Sequence, residues 1–412
     1  MWIRLMPNYP TPPARSERRR TRLGIYLGIL ATLLMASQAQ ALNCSSLQNP
    51  LFLAGSTALE PLYKAIGKRL ATDPVNPMTL VYLRNGSCSG VSSLAQKQTT
   101  AFSYIDGTYD GVSDAPTCVN DFVGGVGIDV ALSDVAYQSC TGTPLPATFG
   151  DFLGPVESMV FIVPRSSTQV AITAEEAYYL VGFGQFADVS PWRNENLYCM
   201  RTPGSGTQRL IAANVSVPAS RWLGKQNSAS ADVITCMNSV SPVDAERSIG
   251  ILGTEVYGSG TVRQNYKALA FRGFGQRLAY LPDSSPMTQD KQNVRDGRYL
   301  LFGPAHMITS IDGTGTPLSS RASRFVNLLS AQTTDVNVLT SIIRSAKLVP
   351  QCAMHVSRTS DGGNLSLSAA ATPCDCFFQA TVSGMVPASC QACGVNADCP
   401  STHCRFGYCE TR

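Results

Sequence analysis

Three times in this chain a short apolar run ends in a turn of glycine and small hydroxyl residues, and a helical pattern follows. The most informative case is Arg201-Thr-Pro-Gly-Ser-Gly-Thr207, which places one guanidinium just before a Gly-Ser-Gly-Thr turn and the run Gln208-Arg-Leu-Ile-Ala-Ala-Asn214. The second is Leu51-Phe-Leu-Ala-Gly-Ser-Thr57, with Ser56 and Thr57 leading into Ala58–Ile66. The third is Gly86-Ser-Cys-Ser-Gly90, between the strand-like Met78–Leu83 and a helix predicted from Val91. A helix that opens on such a turn presents its first N–H groups unpaired, at the positive end of its dipole. Glycine allows close backbone approach, and Ser87, Ser205 and Thr207 add hydroxyl donors. With the arginine fork, this chemistry suits a tetrahedral oxyanion. Any one turn reads equally well as an ordinary helix cap, but three of them point to a shared anion site.

The same strand, turn and helix units predict an α/β fold from Leu51 to about Pro350. Strands are expected at Leu51–Ala54, Met78–Leu83, Gly127–Leu132, Ser158–Val163, Ile249–Leu252 and Lys267–Phe271. Helices are expected at Leu59–Ala71, Ala174–Val181, Thr207–Ala213, Ala322–Leu329 and Val336–Ser345.

Residues 1–41 read as an export signal: a basic stretch Arg15–Arg22, an apolar stretch Ile25–Ala36 and a small-residue cleavage site Ala39-Gln-Ala41. The formal charge of +4 belongs largely to that segment. Setting aside its six arginines and one glutamate leaves 26 basic and 27 acidic side chains. Such a balance gives no support to nucleic acid or an anionic membrane as partner, so any anion affinity is local. All fourteen cysteines lie beyond residue 41, and in an exported protein they are expected to form disulfides. Cys118 with Cys140 and Cys199 with Cys236 are candidate pairs. Eight cysteines crowd into residues 352–412 with few core-forming neighbours, marking a cysteine-rich C-terminal module at 351–412 held by cross-links. Cys390-Gln-Ala-Cys393 near His403 also permits a zinc reading, which the oxidising compartment disfavours.

The motifs Ala54-Gly-Ser-Thr57 with Pro61-Leu-Tyr63, Gly86-Ser87 with Gly90-Val91, Ala131-Leu-Ser-Asp134, and Arg201 with Gly204-Ser-Gly-Thr207 resemble, in order and spacing, the phosphate-binding proteins of ABC transporters. These are type II periplasmic binding proteins. The resemblance implies a two-lobed α/β fold that closes on a dehydrated oxyanion. Lobe one is expected at 42–154 with 268–350 and lobe two at 155–267. It implies that Ser56, Thr57 and Ser87 bind from the first lobe, that Asp134 accepts a proton from the ligand, and that Arg201, Ser205, Gly206 and Thr207 complete the second side. A carboxylate beside an anion is unfavourable unless the ligand brings a proton, which monohydrogen phosphate has and sulfate lacks. Alternatively, Ser133-Asp134 caps the next helix. Two positions depart from the family, Pro203 where an acidic residue is frequent and Ala58 where an aromatic is, and both bear on which oxyanion is taken. Cys88 is also unexpected in its turn, and Cys44 is a candidate partner.

The resemblance therefore implies a monomeric periplasmic or secreted protein that captures phosphate for an ABC permease, with no cofactor and no metal. The alternatives are an exported phosphate-ester hydrolase and a surface module that keeps the binding fold for another purpose. The chain's only histidines are His306, His355 and His403, which gives a Ser-His or metal-dependent hydrolase few candidates.

Overall fold

In the computed structural model, residues 42–111, 113–330 and 333–410 are described. The export segment expected at 1–41 lies outside them. Among the described residues no helix is long and apolar enough to cross a membrane.

The apolar runs form strands buried on both faces, as parallel sheet flanked by helices requires. β1 (Leu51–Gly55) pairs in parallel with β2 (Leu80–Leu83) and with β5 (Val130–Ser133). Antiparallel β3 (Phe102–Ile105) and β4 (Thr117–Cys118) extend that side. The long strand β6 (Phe149–Pro164) lies beside β13 (Phe302–Ser310), and β13 in turn pairs antiparallel with β5. On the far side of β6 come β10 (Ile249–Gly253), β8 (Tyr198–Arg201) and β9 (Lys225–Asn227), the last three mutually parallel. The sheet thus runs β4-β3-β2-β1-β5-β13-β6-β10-β8-β9, with β11 (Tyr266–Ala268) also on β6.

Two separate cores make the fold two-lobed. One packs Leu53, Tyr63, Ile66, Met307, Phe325 and Ile342. The other packs Phe161, Leu180, Trp192, Ile211, Ile251 and Phe271. β6 and β13 connect the lobes. The second crossing falls later than the expected 267/268. β12 (Ala270–Arg272) pairs with β7 (Ala171–Thr173), and Val294, Tyr299 and Leu301 join the second core before Ala305 joins the first. We therefore propose lobe boundaries near Gly154 and Phe302.

The expected helices form at Glu60–Ala71, Ala174–Phe183, Gly206–Val215 and Ser320–Leu329, while the last becomes Val336–Thr340 followed by a wider turn, Ser341–Ser345. The helix expected from Val91 instead starts at Ser87 and ends at Ser93, so the Gly86–Gly90 turn is itself its first turn. Gly90 permits this: a Cβ there would lie 2.4 Å from the Gly55 Cα, so the helix rests directly on the end of β1.

All fourteen cysteines are paired. Cys199–Cys236 forms as expected. The other two expectations are overturned, because Cys44 bonds Cys118 and Cys88 bonds Cys140. Cys44 sits below β4, where its backbone N–H donates to the Val119 carbonyl, which places it against Cys118. The tail bonds are Cys352–Cys374, Cys376–Cys390, Cys393–Cys404 and Cys399–Cys409, so the sulfurs weighed for zinc are disulfide sulfurs. The tail also packs on the second lobe: Cys352, Met354, Cys374 and Phe378 belong to that core, and Glu410 accepts the backbone N–H groups of Cys376 and Phe377 at 2.9 Å each.

Cys88–Cys140 ties the Ser87 helix to the helix Tyr137–Thr141 that follows Asp134, across 52 residues. Its removal in a Cys88→Ser/Cys140→Ser variant should lower stability by about 4 kcal/mol from loop-closure entropy. Urea unfolding measures this, and an unchanged midpoint would show that the bond contributes nothing.

Candidate functional site

The ligand-ready segments stand at the carboxyl ends of parallel strands, where open α/β sheets leave a crevice. Ser56 and Thr57 follow β1, Ser87 lies past β2, Asp134 follows β5 and Arg201 ends β8. Of the residues expected in the site, Arg201 meets Thr57, Thr207 meets Asp134, and Gly206 lies against Ser87 and Asp134, with Ser56 and Ser205 next to them in the chain.

Arg201 is 2 % exposed and anchored on its own lobe. Its Nε donates to the Asn227 carbonyl at 3.2 Å, Nη1 to Ser230 Oγ at 3.2 Å and Nη2 to the Ser228 carbonyl at 2.8 Å. The remaining reach of Nη2 crosses to the other lobe and donates to Thr57 Oγ1 at 3.0 Å. The backbone follows the same route, with Cys88 N–H donating to the Gly204 carbonyl at 3.1 Å. Gly206 makes the approach possible: a Cβ there would fall 2.4 Å from Ser87 Oγ and 2.6 Å from Asp134 Cβ.

Asp134 occupies the centre at 1 % exposure. Its backbone N–H donates to Ser87 Oγ at 3.3 Å, and Thr207 Oγ1 donates to its Oδ2 at 3.5 Å. Burial pushes the carboxyl up, while a hydrogen bond with Ser56 and the charge of Arg201 pull it back. The helix-cap role weighed for Asp134 is not what its contacts show, and the next helix has no side-chain cap. Ser205, the residue before the helix Gly206–Val215, is 2 % exposed and makes no side-chain cap; among the described residues neither its Oγ nor Asp134 Oδ1 has a partner. Buried polar atoms left in this state are costly, by about 1–3 kcal/mol each, unless a ligand meets them.

Two acids escaped the sequence reading. Glu157, in β6, is 1 % exposed and lies within hydrogen-bonding reach of Asp134. Glu255, just past β10, is 3 % exposed and folds back over Gly253. The signal for Glu157 is an acid adjoining the apolar run Ser158–Val163. Among the other groups on Arg201, Ser228 and Ser230 carried no signal at all.

A cavity of about 760 Å³ adjoins Thr57 and Ser230, rimmed by Lys64, Lys68 and Arg84 with Glu60 and Asp232.

No family model matches this chain, and no curated protein does. Solved structures do. A putative phosphate ABC transporter substrate-binding protein from Clostridium perfringens, with bound phosphate, matches at 12 % identity over 73 % of this chain and 99 % of its own, TM-score 0.48. An ABC-type phosphate transport receptor from Vibrio cholerae matches at 14 % over 73 % and 99 %, TM-score 0.45. The chain is similar to phosphate-binding proteins of ABC transporters. An ancestral soluble variant of the human phosphate binding protein gives 14 % over 73 % and 90 %, TM-score 0.46. What the site can hold is decided by its own residues.

Burial raises the Glu255 carboxyl from 4.5 to about 8 and pushes Glu157 up as well. The folded protein therefore keeps protons that the unfolded chain releases. Stability from Glu255 is complete below about 4.5 and is lost as pH rises through about 8, at roughly 1.4 kcal/mol per pH unit between them. The melting temperature should fall from pH 5 to pH 9 and fall less in Glu255→Gln; a rise over that range contradicts the burial of these acids.

Proposed function

We propose that this chain is an exported binding protein that captures inorganic phosphate in the cleft between its lobes and delivers it, as a monomer, to an ABC-type permease. The observation that carries this reading is the Arg201–Thr57 bridge between lobes, flanked by the buried, unpartnered Ser205 Oγ and Asp134 Oδ1. Arg201 supplies positive charge, Ser205, Thr207 and Ser87 supply hydroxyl donors, and Asp134 accepts a proton from the ligand. That combination favours a protonated oxyanion and repels sulfate, which has no proton to share near neutral pH. Lobe closure over the anion is a hinge motion across β6 and β13 that excludes water.

The binding reading is favoured over hydrolysis by the histidines. His306 Nδ1 is tied to Asp151 at 2.7 Å, and His355 to Asp296 at 2.9 Å and Asp375 at 3.2 Å. The adjoining cavity has room for a group larger than phosphate, so a phosphate monoester belongs in the titration series.

Calorimetric titration of the chain from Leu42 with phosphate, arsenate, sulfate and a monoester tests the proposal. Phosphate should bind, and Arg201→Ala should weaken it about a hundredfold, since a charge-assisted hydrogen bond contributes about 1.5–3 kcal/mol. Asp134→Asn should gain sulfate binding. Phosphate binding that survives Arg201→Ala unchanged would put the site elsewhere.

A further inference from the structure

Three carboxyl groups converge on this cleft, and Arg201 is the cation near them that has no carboxylate partner of its own. Asp134, Glu157 and Glu255 come from the ends of β5 and β10 and from the middle of β6, and all are almost wholly buried. Among the described residues no donor is placed on either carboxyl oxygen of Glu157 or of Glu255, or on Asp134 Oδ1. The backbone N–H groups of Glu255 and Val256 lie near the Glu255 carboxyl, outside hydrogen-bond geometry. The groups facing Glu157 are acidic or neutral: Asp134, Glu255, Asp361 and the Tyr82 hydroxyl. Across the β6–β13 pair, its neighbour is Gly303, which offers no charge. Arg201 acts on Asp134 and Glu255; His306, near Asp134, is already tied to Asp151 at 2.7 Å, and Lys291, near Glu255, is already paired with Asp283 at 2.8 Å.

Three ionised carboxylates and a phosphate dianion cannot share a dry cleft with one arginine while His306 and Lys291 are held by Asp151 and Asp283. The cost of leaving such charges buried and unpaired is several kcal/mol each, so the groups protonate instead. A carboxylic acid at Glu157 has a ready acceptor in Asp134, and that bond leaves Asp134 as the ionised, oriented member of the pair.

Resting on the phosphate reading, we propose that Glu157 and Glu255 are proton-holding specificity residues, with Glu157 as the acid donating a hydrogen bond to Asp134, so that phosphate is bound by the protonated cluster and, once these acids have ionised, only together with protons drawn from solvent. Glu157 is thus a positioning residue for Asp134, and the receptor is built for protonated phosphate. The direction of the pH dependence follows. Adding a negative ligand raises the proton affinity of the cluster, so binding is full where the acids are already protonated and weakens as pH rises through and above about 8. Each proton taken up corresponds to about a tenfold loss in affinity per pH unit.

The test combines two measurements on the chain from Leu42. Titration calorimetry with inorganic phosphate from pH 6 to pH 9, in buffers of different ionisation heat, counts the protons taken up. Wild type should take up protons and lose affinity about tenfold per pH unit above about 8. The E157Q/E255Q variant should bind with a flatter profile and take up fewer protons. E157Q, which keeps a donor toward Asp134, should bind at pH 6 at least tenfold more tightly than E157A. Infrared difference spectra of the ligand-free protein at pH 7 should show a protonated-carboxyl band that E157Q loses. A double variant with wild-type slope and proton count, or E157A equal to E157Q, overturns the proposal while phosphate binding stands. Absence of phosphate binding in wild type at every pH overturns the phosphate reading and the coupled uptake with it; the infrared band then decides the state of Glu157 by itself.

Discussion

A guanidinium removed from water is tolerable only where acceptors surround it, and Arg201 meets that condition with groups from both lobes. Asn227, Ser228 and Ser230 hold it on the second lobe, and Thr57 receives it from the first. The same crossing fixes the separation of the turns, since Gly206 can approach Ser87 and Asp134 only because it lacks a Cβ. If Arg201 were lost, the cations left near Asp134, Glu157 and Glu255 among the described residues would be His306 and Lys291, which are already paired with Asp151 and Asp283. The charge balance of the whole site therefore turns on that one side chain.

The sheet provides the frame for this contact. β6 and β13 pair along their length and join the two cores. Cys88–Cys140 and Cys199–Cys236 fasten elements next to the cleft: the first holds the helix bearing Ser87 to the one after Asp134, and the second holds β8, which ends in Arg201, to the helix that begins at Ser230. The cysteine-rich tail is cross-linked within itself and packs on the second lobe's core through Cys352, Cys374 and Phe378. Its Glu410 carboxylate caps the helix Asp375–Ser383, which joins the end of the tail to its beginning.

Much of the candidate site was legible because its chemistry is local. A strand ending in Gly-Ser-Thr before a helix, or an arginine before Gly-Ser-Gly-Thr, carries its own geometric meaning, and Ser56, Thr57, Arg201 and Ser205–Thr207 could be read that way. Asp134 came only through the family motif. What depended on distant chain was not legible. Cys44 and Cys88 each had several possible partners, and only the placement of β4 and of the helix after Asp134 decides between them. Short or polar strands such as β8, β9 and β3 lacked a periodic signal, and β12 extends the second lobe through a three-residue pairing too short to read. Glu157 was hidden because an acid beside an apolar strand reads as the edge of the strand, and its meaning appears only when Asp134 and Glu255 arrive beside it.

The central claim is that one cleft between the lobes, centred on Arg201 and Asp134, holds a single protonated oxyanion. A crystal structure of the chain from Leu42 grown with phosphate at pH 6 tests it most directly. The account predicts tetrahedral density bonded to Arg201, Thr57, Ser205 Oγ, Thr207 and Asp134, with Glu157 against Asp134. Phosphate density at another place on the protein, or a cleft that holds none at saturating phosphate, would contradict it.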